Sequence, residues 1–579
     1  MAYRYIALLG AACVDDPTRR PLAAAALRDH GLEEHRHGNH FRLFAAENTP
    51  LLDTPCGGVL VGCVFHRDGR RIDDSSQLPQ EGDPQAFRTA LTHRCWGDYV
   101  LLQETRGPSP ATVVSRDPSC GIACYYATDS ERRFITSDVA LASHLGLFDR
   151  AVDWDTVAQL LVYTFVKSSR TALQGLRELL PGCSLHLGQG DDSLSHTWSP
   201  WDFVSPRHHQ PGFEEAASNL RGVIDTVVRS WSRVDGSILV ELSGGLDSSI
   251  IAACLGRTSS HVVCATLVTA LPGADERRYA GAIATHAGLP LRSLALTAEH
   301  SCVDPAVAPW LVMPRAGPLQ QLTDEIVRDT TRREGLRASY SGGGGDTVFS
   351  YLTSAAPAAD AFIKQGPIAG LKAIRDLSEL HHCTLWLAAR LTLKKLRTRH
   401  PGPAAADWSF LKPATVDPPD AHPWLKGAAE QAPGDRERVT GLIGTQVLRD
   451  GLPRSAVSWL RLPLLSQPVM EACLAIPSWM WISGGINRAV ARAAFADALP
   501  ASVAQRRSKG DFLQLCAAIY RHNQARIGEL LLCGELAARG LLDVDALRAF
   551  LDPSSSARGH AFMRIFDLCS IENWIRHQR

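Results

Sequence analysis

The chain has 579 residues, 45% of them hydrophobic, with Lys+Arg and Asp+Glu balanced at 60 each. This length exceeds what one hydrophobic core organises and predicts two or three domains that fold without disulfide staples. The even charge balance excludes the broad electrostatic footprint of a nucleic-acid binder, and no stretch approaches the roughly 18 apolar residues of a membrane span.

The 15 cysteines are odd in number and scattered, with no Cys-x-x-Cys pair and no Cys/His cluster at zinc spacing. They predict reduced core thiols in a cytoplasmic protein. Cys120 and Cys124 come nearest to a ligand pair, but the Gly-Ile-Ala between them suits packing at a strand edge. Tyr5 to Val14 is short and apolar behind Arg4. It imitates a secretion signal without a proper charged start, and a first β-strand is the expectation.

Through about residue 200, short apolar runs alternate with turns at 57–65, 98–103, 111–115 and 133–137. Their spacing predicts antiparallel sheets. A helix is expected from about Trp154 to Val166, and Gly175-Leu-Arg-Glu-Leu-Leu-Pro-Gly182 leads into another strand. The polar run Ser205 to Gly212 marks a domain boundary, dividing the chain into 1–205 and 206–579.

Beyond it, strands at 238–242, 261–268, 292–296 and 338–341 alternate with helices at 248–255, 275–287 and 319–332. Such alternation predicts a doubly wound parallel sheet, which binds ligands at the carboxyl ends of its strands. After about residue 355 the chain is mostly helical. It includes a basic-ended amphipathic helix from His381 to His400 and a Pro- and Ala-rich loop from Pro401 to Pro423.

Two glycine-rich turns fall at that sheet edge. In the first, Ser243, Gly244, Gly245, Leu246, Asp247, Ser248 and Ser249 join strand to helix in the manner of a pyrophosphate grip. The glycines let the backbone approach an anion, the serines add hydroxyl donors, and the helix N-terminus points its N–H groups at the phosphates. Asp247 would repel phosphate without a divalent metal between them, which implies a magnesium-bound nucleotide. In the second turn, Ser341-Gly-Gly-Gly-Gly-Asp346, Gly343 and Gly344 face the nucleotide and Asp346 supplies a second metal acid. Either turn alone also has a plain structural reading.

The first turn resembles the SGGxDS loop of the N-type ATP pyrophosphatases, and the chain resembles the asparagine synthetase superfamily from end to end. Arg116-Asp117, Gly121 and Tyr125-Tyr126 match its RDxxG…YY strand pair, and Gly175 to Gly182 matches its G(I/L)xxLxPG segment. The resemblance implies an α/β fold: an Ntn-hydrolase-like (αββα) glutaminase-like domain, then a doubly wound PP-loop synthetase domain with a helical C-terminal part. It implies ATP and Mg2+ as cofactors, AMP and pyrophosphate as products, and adenine resting against Leu267. Glu276 and Arg277 open the next helix, where an acid suits the helix dipole without catalytic duty.

Two departures narrow the reading. Active glutaminases of this family carry a Cys nucleophile at residue 2, where this chain has Ala2, and the Asn-Gly of the glutamine pocket is missing around Val61 to Val64. The first domain is then a structural or docking relic. At the position where asparagine synthetases carry a Glu and β-lactam synthetases a Tyr, this chain has Gly343. With the run Gly342 to Leu352 and Ser354 to Asp360, it looks like the lasso peptide cyclases. That likeness implies macrolactam formation on a precursor peptide, with a leader-binding protein and a leader peptidase as partners. Lys509 aligns with the family lysine beside the reacting carbonyl, an electrostatic role. Tyr340 and Glu471 are candidates for the lost base pair, each with an equally good structural reading. A small-molecule amide ligase and a non-catalytic scaffold remain the alternatives.

Overall fold

The computed structural model of the protein describes residues 3–9, 20–38, 40–105, 111–128, 133–164, 166–188, 192–204, 211–271, 275–314, 317–398, 406–450, 458–507, 510–552 and 561–578. The first domain carries β1 (Tyr5–Leu9), β2 (Leu32–His37), β3 (Phe41–Ala46), β4 (Leu51–Asp53), β5 (Gly58–His66) and β6 (Cys95–Glu104). They are followed by β7 (Thr112–Arg116), β8 (Tyr125–Ala127), β9 (Phe134–Thr136), β10 (Arg177–Glu178), β11 (Cys183–Leu187) and β12 (Ser193–His196). These form two six-stranded sheets of order β10-β8-β9-β1-β3-β2 and β12-β11-β7-β6-β5-β4, with every ladder antiparallel.

Strand alternation sets the layers. Tyr5, Ala7 and Leu9 share one core cluster with Val59, Val61 and Cys63 of the facing sheet. The opposite faces pack on helices: Ile6 and Leu8 lie with Val157 and Leu161 of the helix Trp154–Val162, and Leu60 and Val64 with Phe87 and Leu91 of the helix Pro84–Arg94. The layer order is therefore helix, sheet, sheet, helix. The motif residues of this domain lock it internally. Arg116 donates to Glu178 and to the carbonyls of Ile122 and Leu179, while Asp117 accepts from the amides of Tyr99, Ser119 and Cys120. A methyl at Gly121 would sit 1.8 Å from Asp98 Cγ, so only glycine fits.

In the second domain α1 (Phe213–Asp235) ends at Gly236, whose φ of 72° reverses the chain into β13 (Ser237–Glu241). Then follow α2 (Leu246–Leu255), β14 (His261–Val268), α3 (Arg277–Ala287), β15 (Leu291–Ala295), α4 (Pro318–Arg333) and β16 (Ala338–Tyr340). A fifth strand, β17 (Trp459–Arg461), completes a parallel sheet of order β15-β14-β13-β16-β17. The strand order reverses between β13 and β16, which opens a crevice at their carboxyl ends.

The sequence expectation of four parallel strands is corrected to five, because β17 is too short to carry a periodicity. The helix expected over 381–400 is shorter: the preceding helix ends at His381, His382 adopts a φ of 49°, and Thr384 caps a helix spanning Leu385–Arg397 at the Leu387 amide. Cys120 and Cys124 sit on a buried loop, not a strand edge, and Cys120 takes a φ of 61°. All described cysteines are free. The expected boundary falls largely on residues 205–210, outside the described residues.

A continuous core joins the two domains. Phe65 and Trp96 stack at 4.6 Å, and Trp231 of α1 meets Phe65 edge-on at 4.9 Å. Arg461 of β17 lies 3.7 Å from the Trp231 ring and donates to Asp98 of the first domain at 2.9 Å and to Asp235 at 3.0 Å.

Candidate active site

A cleft of about 310 Å³ opens where the strand order reverses. Its lining includes Ser243, Gly245, Leu246, Asp247 and Ser248 from the turn after β13. Gly342, Gly343, Gly344 and Asp346 line it from the turn after β16, and Leu267 from the end of β14. Gly244 and Ser249 are buried and do not line the cleft. Gly244 has a φ of 69°, and a methyl there would lie 2.5 Å from Tyr279 Cβ on α3. Ser243 Oγ stands 3.1 Å from Ser248 Oγ and accepts from the Gly245 amide. Gly245 caps α2 without a side-chain bond to the helix amides, which leaves the helix N-terminus suited to an anion.

The four glycines of the second turn have separate reasons. A methyl at Gly342 would lie 2.7 Å from the Ser248 amide nitrogen, so the two turns meet backbone to backbone there, and one at Gly345 would lie 2.4 Å from Asp247 Cγ, so that glycine makes space for the acid side chain. Gly344 has a φ of 85°. Gly343 is hemmed in more loosely, by side-chain ends: a methyl there would meet Leu462 Cδ2 at 3.2 Å and Leu448 Cδ1 at 3.4 Å, and those leucines would have to give by a few tenths of an ångström. The wall at this position is backed by leucines.

Asp247 and Asp346 aim at one point, and the guanidinium of Arg488 occupies it. Arg488 Nη1 donates to both Asp247 oxygens at 3.1 Å and to Asp346 Oδ1 at 2.7 Å. A cation shared by two carboxylates beside an anion-binding helix end is the environment a phosphate-bound Mg2+ needs, so the donor set fits that ion. Arg488 itself takes a φ of 54°, a conformation rare for a side-chain-bearing residue. Burial, then the neighbouring Arg488 charge, pulls the Arg492 guanidinium down to about 10.

On the side of the cleft formed by β14 and α3, Glu276 has a larger part than a helix-dipole acid. Its Oε1 accepts from Arg506 Nη2 at 2.6 Å and from the Gly510 amide at 3.0 Å, tying the C-terminal loop to α3. Arg506 also donates to the Gly244 carbonyl and covers the Tyr279 ring at 3.9 Å. Lys509 lies in this loop but outside the described residues. Arg277 pairs with exposed Asp275 instead of entering the cleft.

Tyr340 and Glu471 are not brought to the cleft. The Tyr340 hydroxyl, fully buried, donates to Asp235 at 2.9 Å, and burial pushes the phenol well above its ordinary range. Glu471 is held by Trp198 at 3.0 Å, Gln467 at 2.7 Å and Arg67 on a different cleft, lined also by Trp96 and Thr226. Neither expected base lines this cleft: each side chain closes a buried contact of its own. Arg488 and Arg506 were missed, since each reaches the cleft from a remote segment.

The asparagine synthase family model matches residues 219–576. The chain belongs to the asparagine synthase family. That family comprises ATP-dependent amide-forming ligases. Proteins provisionally named glutamine-hydrolyzing asparagine synthetase from Mycobacterium bovis and Mycobacterium tuberculosis are 24% identical over 315 residues, 51% of this chain and 47% of theirs. The chain thus spans about half the length of these curated relatives. A solved glutamine phosphoribosylpyrophosphate amidotransferase from B. subtilis, complexed with ADP and GMP, aligns over 50% of this chain and 65% of its own at 10% identity and a TM-score of 0.22. An allosteric regulatory enzyme of purine biosynthesis gives 9% identity and a TM-score of 0.21 over 52% of this chain and 77% of its own. Scores this low carry no weight here. No helix among the described residues is long and apolar enough to cross a membrane.

Proposed function

We propose that this protein is an AMP-forming amide ligase that closes a macrolactam on a peptide, as lasso peptide cyclases do. The observation that carries the reading is the contrast within one turn. The phosphate-side glycines and both acids converge in the cleft, whereas Gly343, where small-substrate relatives hold a base, is backed by Leu448 and Leu462. A smooth apolar wall suits a bulky peptide better than aspartate and ammonia.

In this reading a side-chain carboxylate of an Asp or Glu in the peptide attacks the α-phosphorus of ATP. Pyrophosphate leaves, and the acyl-adenylate remains. The N-terminal amine of the same peptide then attacks the acyl carbon, loses a proton and expels AMP. A peptide α-amine ordinarily titrates at about 7.7–8.0, so roughly a fifth to a third of it is already neutral near physiological pH and a strong protein base matters less than for an amine of higher pKa. Ser243, Ser248 and the α2 N-terminus grip the phosphates, Leu267 supports the adenine, and Asp247 and Asp346 would hold Mg2+, which neutralises phosphate charge when bound. Arg488, released from the carboxylates, is within the same cleft to meet pyrophosphate. Lys509 is assigned the charge developing at the acyl carbon. A leader-binding protein and a leader peptidase would present the core peptide.

The test is incubation of the purified protein and its partner peptidase with Mg-ATP and a leader-free core peptide, followed by mass spectrometry. Loss of one water with one AMP, abolished in Asp247→Ala, is the expected result. AMP formed only with aspartate and ammonia would instead favour a small-molecule ligase, and no AMP with any substrate a scaffold.

A further inference from the structure

The helices α5 (Ala356–Gln365), α6 (Pro367–His381) and α7 (Leu385–Arg397) stand on the C-terminal side of the second turn. In α7 the usual orientation is reversed. Its inward face is built from the small residues Ala388, Ala389 and Thr392, while its large apolar residues point to solvent. Leu385, Leu393 and Leu396, at helical spacing, form an exposed stripe with Trp386, which is 80% exposed, on its edge. Beside it run exposed Arg390, Lys394 and Arg397, again at helical spacing. The neighbouring α6 adds Ile368, 85% exposed, and Leu371 one turn later.

Charge decides among the occupants of this face. The whole chain is neutral, yet no Asp or Glu occurs between Glu379 and Asp407, a run holding five Lys or Arg. The nearest acids are engaged: Glu379 pairs with Arg375, and Glu437 of a packed segment with Lys395. A second copy would set the same basic stripe against itself, which like-charge repulsion disfavours. Side chains exposed to this degree stand proud of the surface instead of walling a groove for a partner helix. A leucine stripe with a tryptophan at its edge and a cationic flank matches an interfacial helix, whose apolar side enters the headgroup boundary while Lys and Arg meet anionic lipid.

We propose that the α6–α7 face docks the protein peripherally on an anionic bilayer surface. This is independent of the reaction assigned to the cleft. The test is flotation of the full-length protein with phosphatidylcholine vesicles, with or without phosphatidylglycerol. Two exposed-surface variants accompany it, Trp386→Ser/Leu393→Ser and Arg390→Glu/Lys394→Glu, each checked for native circular dichroism. The protein should float with the anionic vesicles alone, lose binding at high salt, and drop about tenfold in each variant. No flotation with phosphatidylglycerol, flotation unchanged in both variants, or a dimer that the apolar variant dissolves would each overturn the proposal, the last pointing to a second copy as the occupant.

Discussion

Arg488 Nη1 lies 3.1 Å from each carboxylate oxygen of Asp247 and, through the same nitrogen, bridges to Asp346. A side-chain cation thus sits where the two acids converge and offsets the repulsion between their like charges. The same contact competes with any metal for those acids.

That competition is measurable. Arg488→Ala should bind Mn2+ about tenfold more tightly than the unaltered protein without nucleotide, since one cation of the site is removed. In the proposed reaction turnover should nevertheless fall, because pyrophosphate would lose a counter-charge. Electron paramagnetic resonance titration with Mn2+, alongside AMP release, checks both. Equal Mn2+ affinity would mean that the arginine does not guard the acids.

The glycine run should be intolerant at 345 and permissive at 343. Gly345→Ala drives a methyl to 2.4 Å from Asp247 Cγ and should cut AMP formation by about a hundredfold or more. Gly343→Ala meets only leucine side-chain ends at 3.2 and 3.4 Å and should retain most activity. Steady-state AMP assays on the two variants separate the outcomes.

Loss of the interdomain pair should destabilise the whole protein. Arg461→Ala leaves Asp98 and Asp235 buried without their cation, at a cost of about 3–5 kcal/mol. The Ser341 amide donates to the Arg461 carbonyl, so the damage should reach the second turn as well. Urea unfolding and ATP binding should weaken together. Unchanged stability would show that the antiparallel sheets do not brace the parallel sheet.

Acid should loosen the same bracing at a second point. Glu178 is fully buried, which alone would raise its pKa, but Lys167 and Arg116 outweigh burial and hold it down to about 2. Its folded value lies below the unfolded value of about 4.3, so its contribution is present above pH ~4.3 and is lost as pH falls toward 2. The stability difference between the unaltered protein and Glu178→Gln should therefore be constant from pH 5 to 7 and shrink below about 4. Lys167 also pairs with Asp450, in the segment that carries Leu448 to Gly343, which links this titration to the cleft wall.

The site's contiguous parts were legible in the sequence because their chemistry is local. Ser243 to Ser249 and Gly342 to Asp346 each carry turn, donor and acid within a few residues, and the alternation of strands and helices places both at one edge. Arg488 and Arg506 left no such signal, since each acts across the fold and an isolated arginine has the look of a surface charge. Glu276 was recognised as a helix-opening acid, but its bond to Arg506 depends on a segment far along the chain. Tyr340 stands next to the glycine turn in sequence, yet in the fold its hydroxyl turns into the core and donates to Asp235. The brevity of β17 hid the partner that completes the sheet.

The proposed reaction rests on activation of a peptide carboxylate as an acyl-adenylate. Its most direct measurement uses a core peptide whose acceptor carboxylate is labelled with 18O, incubated with the protein, its partner peptidase and Mg-ATP, with the nucleotide then examined by mass spectrometry. Ring closure with one 18O transferred to AMP is the predicted result. Ring closure with the label in inorganic phosphate and ADP as product, or with no label in AMP, would contradict it.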